Sequence, residues 1–149
     1  MPHITLDYAP RLAQVIDIAQ LCDLLRRAAI DTGVLPLAGV RVRAFAADHV
    51  SMADGNPDFI YLDISVRLRG GRDLPTRKAA TETIFNAARA YLAPAMDTHP
   101  IALSLEMRDI DGAFEIQFLD PAFDVAVGFD GLFVAAVIAG QLIGPRIIA

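Results

Sequence analysis

Hydrophobic and polar residues alternate most regularly from Phe59 to Leu68, where Ile60, Leu62, Ile64, Val66 and Leu68 oppose Phe59, Tyr61, Asp63, Ser65 and Arg67. A period of two puts every second side chain on one face of an extended chain, so this segment predicts a strand buried on one side. The same rule gives a short first strand at His3–Tyr8. It gives another at Val40–Ala47, where Val42, Ala44 and Ala46 oppose Arg41, Arg43 and Phe45, and a fourth at Ile101–Met107. In the last of these, Ile101, Leu103, Leu105 and Met107 share a face.

Two stretches switch to three- and four-residue spacing. Between Arg11 and Thr32 the apolar positions Leu12, Val15, Ile16, Ala19, Cys22, Leu25 and Ala29 form one stripe, which predicts a single helix ended by Gly33. A second helix is expected from Leu74 to Leu92, with Asp73 as N-cap and Pro75 in the first turn. Its stripe is Ala80, Ile84, Phe85, Ala88 and Leu92, and Pro94 is expected to close it. The 48–58 segment contains the turn dipeptides Asp54-Gly55 and Asn56-Pro57 and reads as a connection between strands.

The order strand, helix, strand, strand, helix, strand suggests an α+β fold. Right-handed crossovers place two helices on one face of a four-stranded sheet. The two halves share a strand–helix–strand layout without a residue-level repeat. The other face of the sheet is then uncovered. With 54% hydrophobic residues and a mean hydropathy of +0.42, an apolar open face covered by neighbouring subunits is the expectation.

At 149 residues the chain fits one domain with one core. A net charge of -5 with only 13 Lys and Arg argues against a nucleic-acid partner. A small anionic ligand stays open, because a few well-placed arginines can hold a carboxylate in an acidic protein. Cys22 is the single cysteine, lies on the helical stripe and reads as core, which suits a reducing compartment. No secretory leader is apparent at the N-terminus, so cytoplasm is the default. The apolar run from Gly131 to Gly144 has 14 residues, short of the ~20 needed to span a membrane, and reads as core or interface.

Motifs for metal, phosphate-loop or serine-nucleophile chemistry are missing, and His3, His49 and His99 are too far apart for helical metal spacing. Metal chemistry is not expected. Gly70-Gly71-Arg72 reads as a strand-to-helix turn, and Asp63 and Glu106 as paired surface charges. What remains is Met1-Pro2 immediately before a strand. Loss of the methionine would leave a secondary amine. An α-amino group has a reference pKa of about 7.7–8.0, lowered by burial or nearby cations, and so can serve as a general base at neutral pH.

Five collinear segments then carry a resemblance: MPHITL at the start, LPLAGVRVR at Leu35–Arg43, MADGNPDF at Met52–Phe59, RGGRDLPTRK at Arg69–Lys78, and IALSLEM at Ile101–Met107. Together they resemble the 5-carboxymethyl-2-hydroxymuconate delta-isomerase family of the tautomerase superfamily, over about residues 2–110. The resemblance implies a β-α-β repeat fold, a homotrimer, and a cofactor-free proton shift in an unsaturated carboxylate from aromatic-acid catabolism. It implies Pro2 as the base and Arg41 and Arg72 as carboxylate-binding residues, and leaves Arg43 and Arg77 without a role. Another enol acid as substrate, or a non-catalytic trimeric ligand-binding homologue, are the alternatives. Residues beyond about Asp111 fall outside it, which suggests an isomerase domain at 1–111 and a C-terminal extension at 112–149, packed on the domain or on a neighbouring subunit.

Overall fold

The chain is described by a computed structural model, which covers residues 2–111 and 113. The expected extension at 112–149 and the apolar run within it lie outside the described residues. The elements in chain order are β1 His3–Tyr8, α1 Leu12–Val15, α2 Ile18–Asp31, a 3-10 turn at Leu37–Gly39, β2 Arg41–Ala46, β3 Ile60–Arg69, α3 Leu74–Met96 and β4 Ile101–Ile110. All four predicted strands are present, and they form one mixed sheet in the order β2-β1-β3-β4. The pairs β1–β2 and β3–β4 are parallel and β1–β3 is antiparallel, so each half is a strand–helix–strand unit and the halves join at the centre.

The helical segment at 11–32 is two helices rather than one. Ile16 adopts an extended conformation, and Asp17 caps α2 by accepting from the Gln20 N–H at 3.0 Å. A short acceptor side chain that satisfies a free N–H at a helix start is worth about 1 kcal/mol, and here it restarts the helix in a new phase. The stripe that reaches the core is therefore Leu21, Leu25 and Ala29, four residues apart, while Ala19 faces solvent. At the far end Gly33 takes a left-handed φ of 67°, as a C-terminal glycine does.

Pro94 does not close α3, which runs on to Met96. A proline forfeits its own N–H, but this one sits in the last turn, where later donors still find carbonyls: Asp97 N–H bonds to Ala93 at 3.2 Å. Ala95, beyond the proline, is packed into the core. Tyr91 ties α3 to the start of α2 by donating to the Asp17 carbonyl at 3.0 Å.

The core lies between the helices and one face of the sheet. Ile4 and Leu6 of β1 and Ile60, Leu62, Ile64 and Val66 of β3 are fully buried there against Leu21, Leu25, Ile84 and Leu92. Edge strands contribute less, and Leu103, Leu105 and Met107 of β4 are only partly buried. The opposite face corrects the expectation of an apolar surface. Alternation sends Thr5, Asp7, Arg43, Asp63, Ser65, Arg67, Ser104, Glu106 and Arg108 to it beside Phe45 and Tyr61, so the face that the helices leave open is mostly polar and charged. Among the described residues no helix is long and apolar enough to cross a membrane, and no group of three or more His, Cys, Asp or Glu could hold a metal ion.

Candidate active site

The register brings the start of β1, the start of β2, the end of β3 and the end of β4 to one end of the sheet. His3 pairs with both Arg41 and Arg67, and Arg67 pairs with Arg108. Pro2 sits just before β1, is buried, and accepts the Arg41 N–H at 3.3 Å through its carbonyl. Arg41 is half-buried at the first position of β2. The segment before it is held down by buried Leu35, Ala38 and Gly39, and this anchoring fixes where β2 begins.

Arg72 reaches the same end from the other half of the chain. Gly71 has a φ of 104°, a conformation that a residue with a Cβ rarely adopts, and it turns the chain from β3 toward α3. The Arg72 guanidinium is pinned by two backbone carbonyls: Nε donates to Val34 at 3.0 Å and Nη1 to Arg69 at 2.8 Å. It thus braces the segment before β2 against the segment before α3. Asp73 caps α3, accepting from Thr76 N–H at 2.9 Å, and its bonds to the Thr76 side chain and backbone hold its carboxyl below the usual range. Pro2, Arg41 and Arg72 therefore share the end of the sheet where α3 begins.

The two arginines left without a role behave differently. Arg77 pairs with Asp109 at 3.1 Å and donates to the Met107 carbonyl at 3.4 Å, which clamps α3 to the end of β4; among the described residues its buried Nε has no partner. Arg43 lies on the open face with its guanidinium 6.0 Å from the Phe45 ring centre.

The histidines stay apart. His49 is exposed in the 47–59 connection, and His99 contacts the Thr98 hydroxyl at 2.9 Å. His3, next to Pro2, has its pKa lowered by burial, then by the positive chain terminus and by Arg67, Arg43 and Arg41. Asp63 and Glu106 are surface groups with partners of their own and not an acid/base couple. Asp63 accepts from the Ser104 hydroxyl at 2.5 Å, and Glu106 bridges to Arg108 at 3.1 Å.

Further along the open face Tyr61 donates to Asp7 at 2.5 Å. That bond, then burial and the charges of Asp7 and Asp63, push the phenol up to about 12. The folded state thus keeps this proton where the unfolded chain, near 10, releases it. Its contribution to stability is complete below pH 10 and is lost as pH rises toward 12. Ultraviolet titration of the three tyrosines should show one phenolate forming near pH 12, and Tyr61→Phe should remove that step. If the late step survives in the variant, the Asp7 bond is not its cause.

Two clefts lie at the opposite end of the sheet. One, of about 590 Å³, is formed by Gln14, Asp17, Gln20, Tyr91, Pro94 and His99 among others, and one of about 300 Å³ by Pro10, Arg11, Met52 and Phe59 among others. Neither includes Pro2, Arg41 or Arg72. Both are shallow grooves between element ends, and neither gathers the cations that a carboxylate needs.

The fold defines the class first. It is a tautomerase-like β-α-β repeat, a fold shared for example with a fused 4-OT wild-type asymmetric trimer at a TM-score of 0.57, over 85% of this chain and 98% of that one at 18% identity. Within that class the sequence pattern of the 5-carboxymethyl-2-hydroxymuconate isomerase family matches residues 2–118, and the chain belongs to this family. It is 29% identical over 110 residues to the 5-carboxymethyl-2-hydroxymuconate Delta-isomerase of Escherichia coli, covering 74% of this chain and 87% of that one. A crystal structure of a 5-carboxymethyl-2-hydroxymuconate delta-isomerase superposes with a TM-score of 0.76 at 28% identity, over 80% of this chain and 89% of that one.

Proposed function

We propose that the chain catalyses a proton shift in an unsaturated dienol carboxylate such as 5-carboxymethyl-2-hydroxymuconate, with the Pro2 secondary amine as general base. The supporting observation is the position of Pro2, buried at the sheet end and bonded through its carbonyl to Arg41, with Arg72 anchored at that same end. With Met1 removed, the amine takes the hydroxyl proton of the dienol and returns a proton to carbon along the conjugated system. Nearby guanidiniums favour the neutral, basic amine over the ammonium form.

Arg41 and Arg72 have different parts in this reading. Each binds a substrate carboxylate, because a guanidinium fork matches its two oxygens. Arg72 already has Nε and Nη1 committed to backbone carbonyls, so its direction is set before substrate arrives. Donors fixed in advance stabilise the charge that develops on the dienolate without reorganising during the reaction. The chemistry needs no cofactor.

The same reading places the enzyme in the cytoplasm and in aromatic-acid catabolism, on homoprotocatechuate-derived acids, and assembles it as a homotrimer. Residues 1–111 form its isomerase domain and 112–149 an extension. A test combines the intact mass of the purified protein with an assay that follows loss of the dienol chromophore, at a particle mass fixed by light scattering. A mass lacking one methionine, turnover, and about three chains per particle are the expected results. Full activity with Met1 retained would overturn the proline mechanism, and an active monomer would overturn the assembly.

A further inference from the structure

Beyond Met107 the core-side row of β4, Ile101, Leu103, Leu105 and Met107, continues with Asp109, an acid where a period of two calls for an apolar side chain. Asp109 pairs in register with buried Leu68, so it faces the helices rather than the open side of the sheet. A carboxylate placed there needs a partner. Arg77, one turn into α3, provides it: Nη1 reaches the carboxylate at 3.1 Å, while Nη2 donates to the Met107 carbonyl at 3.4 Å. The Thr81 hydroxyl, a turn further on, donates to the Met107 sulfur at 3.4 Å, so α3 and β4 are joined at two levels. Both members of the ion pair keep some exposure, 26% and 46%, and pairs so placed add little to stability. Where the pair stands therefore matters more than its strength.

The other side of Asp109 rests on the turn between β3 and α3. Its carboxyl carbon is 3.7 Å from the point where a side chain on Gly70 would begin, and the three described atoms nearest that point all belong to Asp109. At Gly71 the same space is empty among the described residues, and two glycines in succession leave the backbone unusually free. The turn that carries Arg72 is thus held from outside. Arg72 bonds to the carbonyls of Val34 and Arg69, and Asp109 covers Gly70. Arg69 in turn pairs with Ile110, the residue after Asp109, so fixing the end of β4 also fixes one of the two carbonyls that aim Arg72.

We propose that Arg77 and Asp109 are positioning residues for the reaction: by locking the end of β4 to α3 they hold the Gly70-Gly71 turn, and through it the direction of the Arg72 guanidinium. The role rests on the proposed function, in which Arg72 binds a substrate carboxylate. Neither member of the pair touches substrate, and their effect passes through Arg72 alone. Displacing a catalytic or binding group by about 1 Å can cost on the order of a hundredfold in rate.

A double-mutant cycle on the intact enzyme, read by dienol isomerisation, tests this. Arg77→Gln should lower kcat/KM about tenfold or more, mostly in kcat, because Arg72 keeps its charge and loses only its direction. In an Arg72→Gln background the same change should have no further effect. An equal fall in both backgrounds would overturn the proposal, since a pair that merely supports the fold acts additively. So would an unchanged kcat/KM in Arg77→Gln where Arg72→Gln is impaired. If Arg77→Gln does not fold, Asp109→Ala removes the same contact from its more exposed side and takes its place in the cycle. A second readout is independent of turnover: hydrogen exchange at the Arg72 Nε–H, which its bond to the Val34 carbonyl protects, followed by NMR. Faster exchange in Arg77→Gln upholds the positioning role, and unchanged exchange overturns it. A wild type without isomerase activity, or full activity in Arg72→Gln, would sink the function instead, and exchange would then decide whether the pair aims Arg72.

Discussion

Replacing Pro2 by alanine should lower kcat/KM for dienol isomerisation by about 10²–10⁴-fold, the range that a positioned general base contributes. The fold should be little affected, because the bond from Arg41 N–H is accepted by the Pro2 carbonyl, which any residue supplies. What changes is the amine. Alanine offers a primary nitrogen on a freely rotating terminus, where the proposed base is a secondary amine whose pyrrolidine ring restricts it at the start of β1. Steady-state kinetics beside a thermal melt would separate the two effects. An unaltered kcat/KM with an unaltered melt would remove Pro2 from the chemistry.

The largest loss of stability should follow Ile64→Ala. Ile64 lies mid-way along β3, paired with Leu6 on one side and Leu105 on the other, and is fully buried. Deleting a side chain of this size from a packed interior costs about 2–5 kcal/mol, through lost transfer free energy and the cavity left behind. Set against the ~5–15 kcal/mol that holds a typical domain together, that is enough to shift a urea midpoint well outside error. A change below ~1 kcal/mol would mean that the neighbouring side chains collapse into the space, contrary to a close-packed interior.

The strands were legible because a period of two is a strong signal even in one sequence: β1 matches its predicted bounds, and β2 and β3 shift by about a residue at each end. β4 runs three residues past the predicted end, to Ile110, where Asp109 interrupts the alternation. The helical errors have local causes. The stripe from Leu12 to Ala29 looks continuous on a helical period, yet Asp17 can both continue a helix and cap a new one, and the cap wins once α2 packs on α3. Pro94 was read as a stop, although in a last turn it costs little and Ala95 beyond it gains burial.

The candidate residues Pro2, Arg41 and Arg72 could be marked by motif, but their common location depends on β1 pairing with β2 in parallel, which no local pattern encodes. The Arg77–Asp109 clamp was hidden for the same reason. The two residues lie 32 positions apart, and only the packing of α3 along β4 brings them together. Alternation did reveal Arg41 and Arg43 on one face and Asp63 and Arg67 on another strand's polar side. Overall hydropathy pointed instead to an apolar surface, because it averages the open face together with residues outside the described fold.

The order β2-β1-β3-β4 also governs how quickly this chain can find its shape. Strands β2 and β3 are consecutive in sequence but not neighbours in space, so among the described residues the sheet contains no hairpin that could form early on its own. Every β1–β2 pair joins residues 38 apart, as His3 with Arg41, and every β3–β4 pair residues 41 apart, as Ile60 with Ile101. The central β1–β3 ladder closes a longer span still, from His3 to Arg67. Each ladder must absorb the entropy of a long loop before its contacts return anything. Topologies dominated by such distant pairings fold in milliseconds or more slowly, where helical bundles take microseconds, so the two helices that cover the sheet should gain structure first and wait for the central strand to be seated.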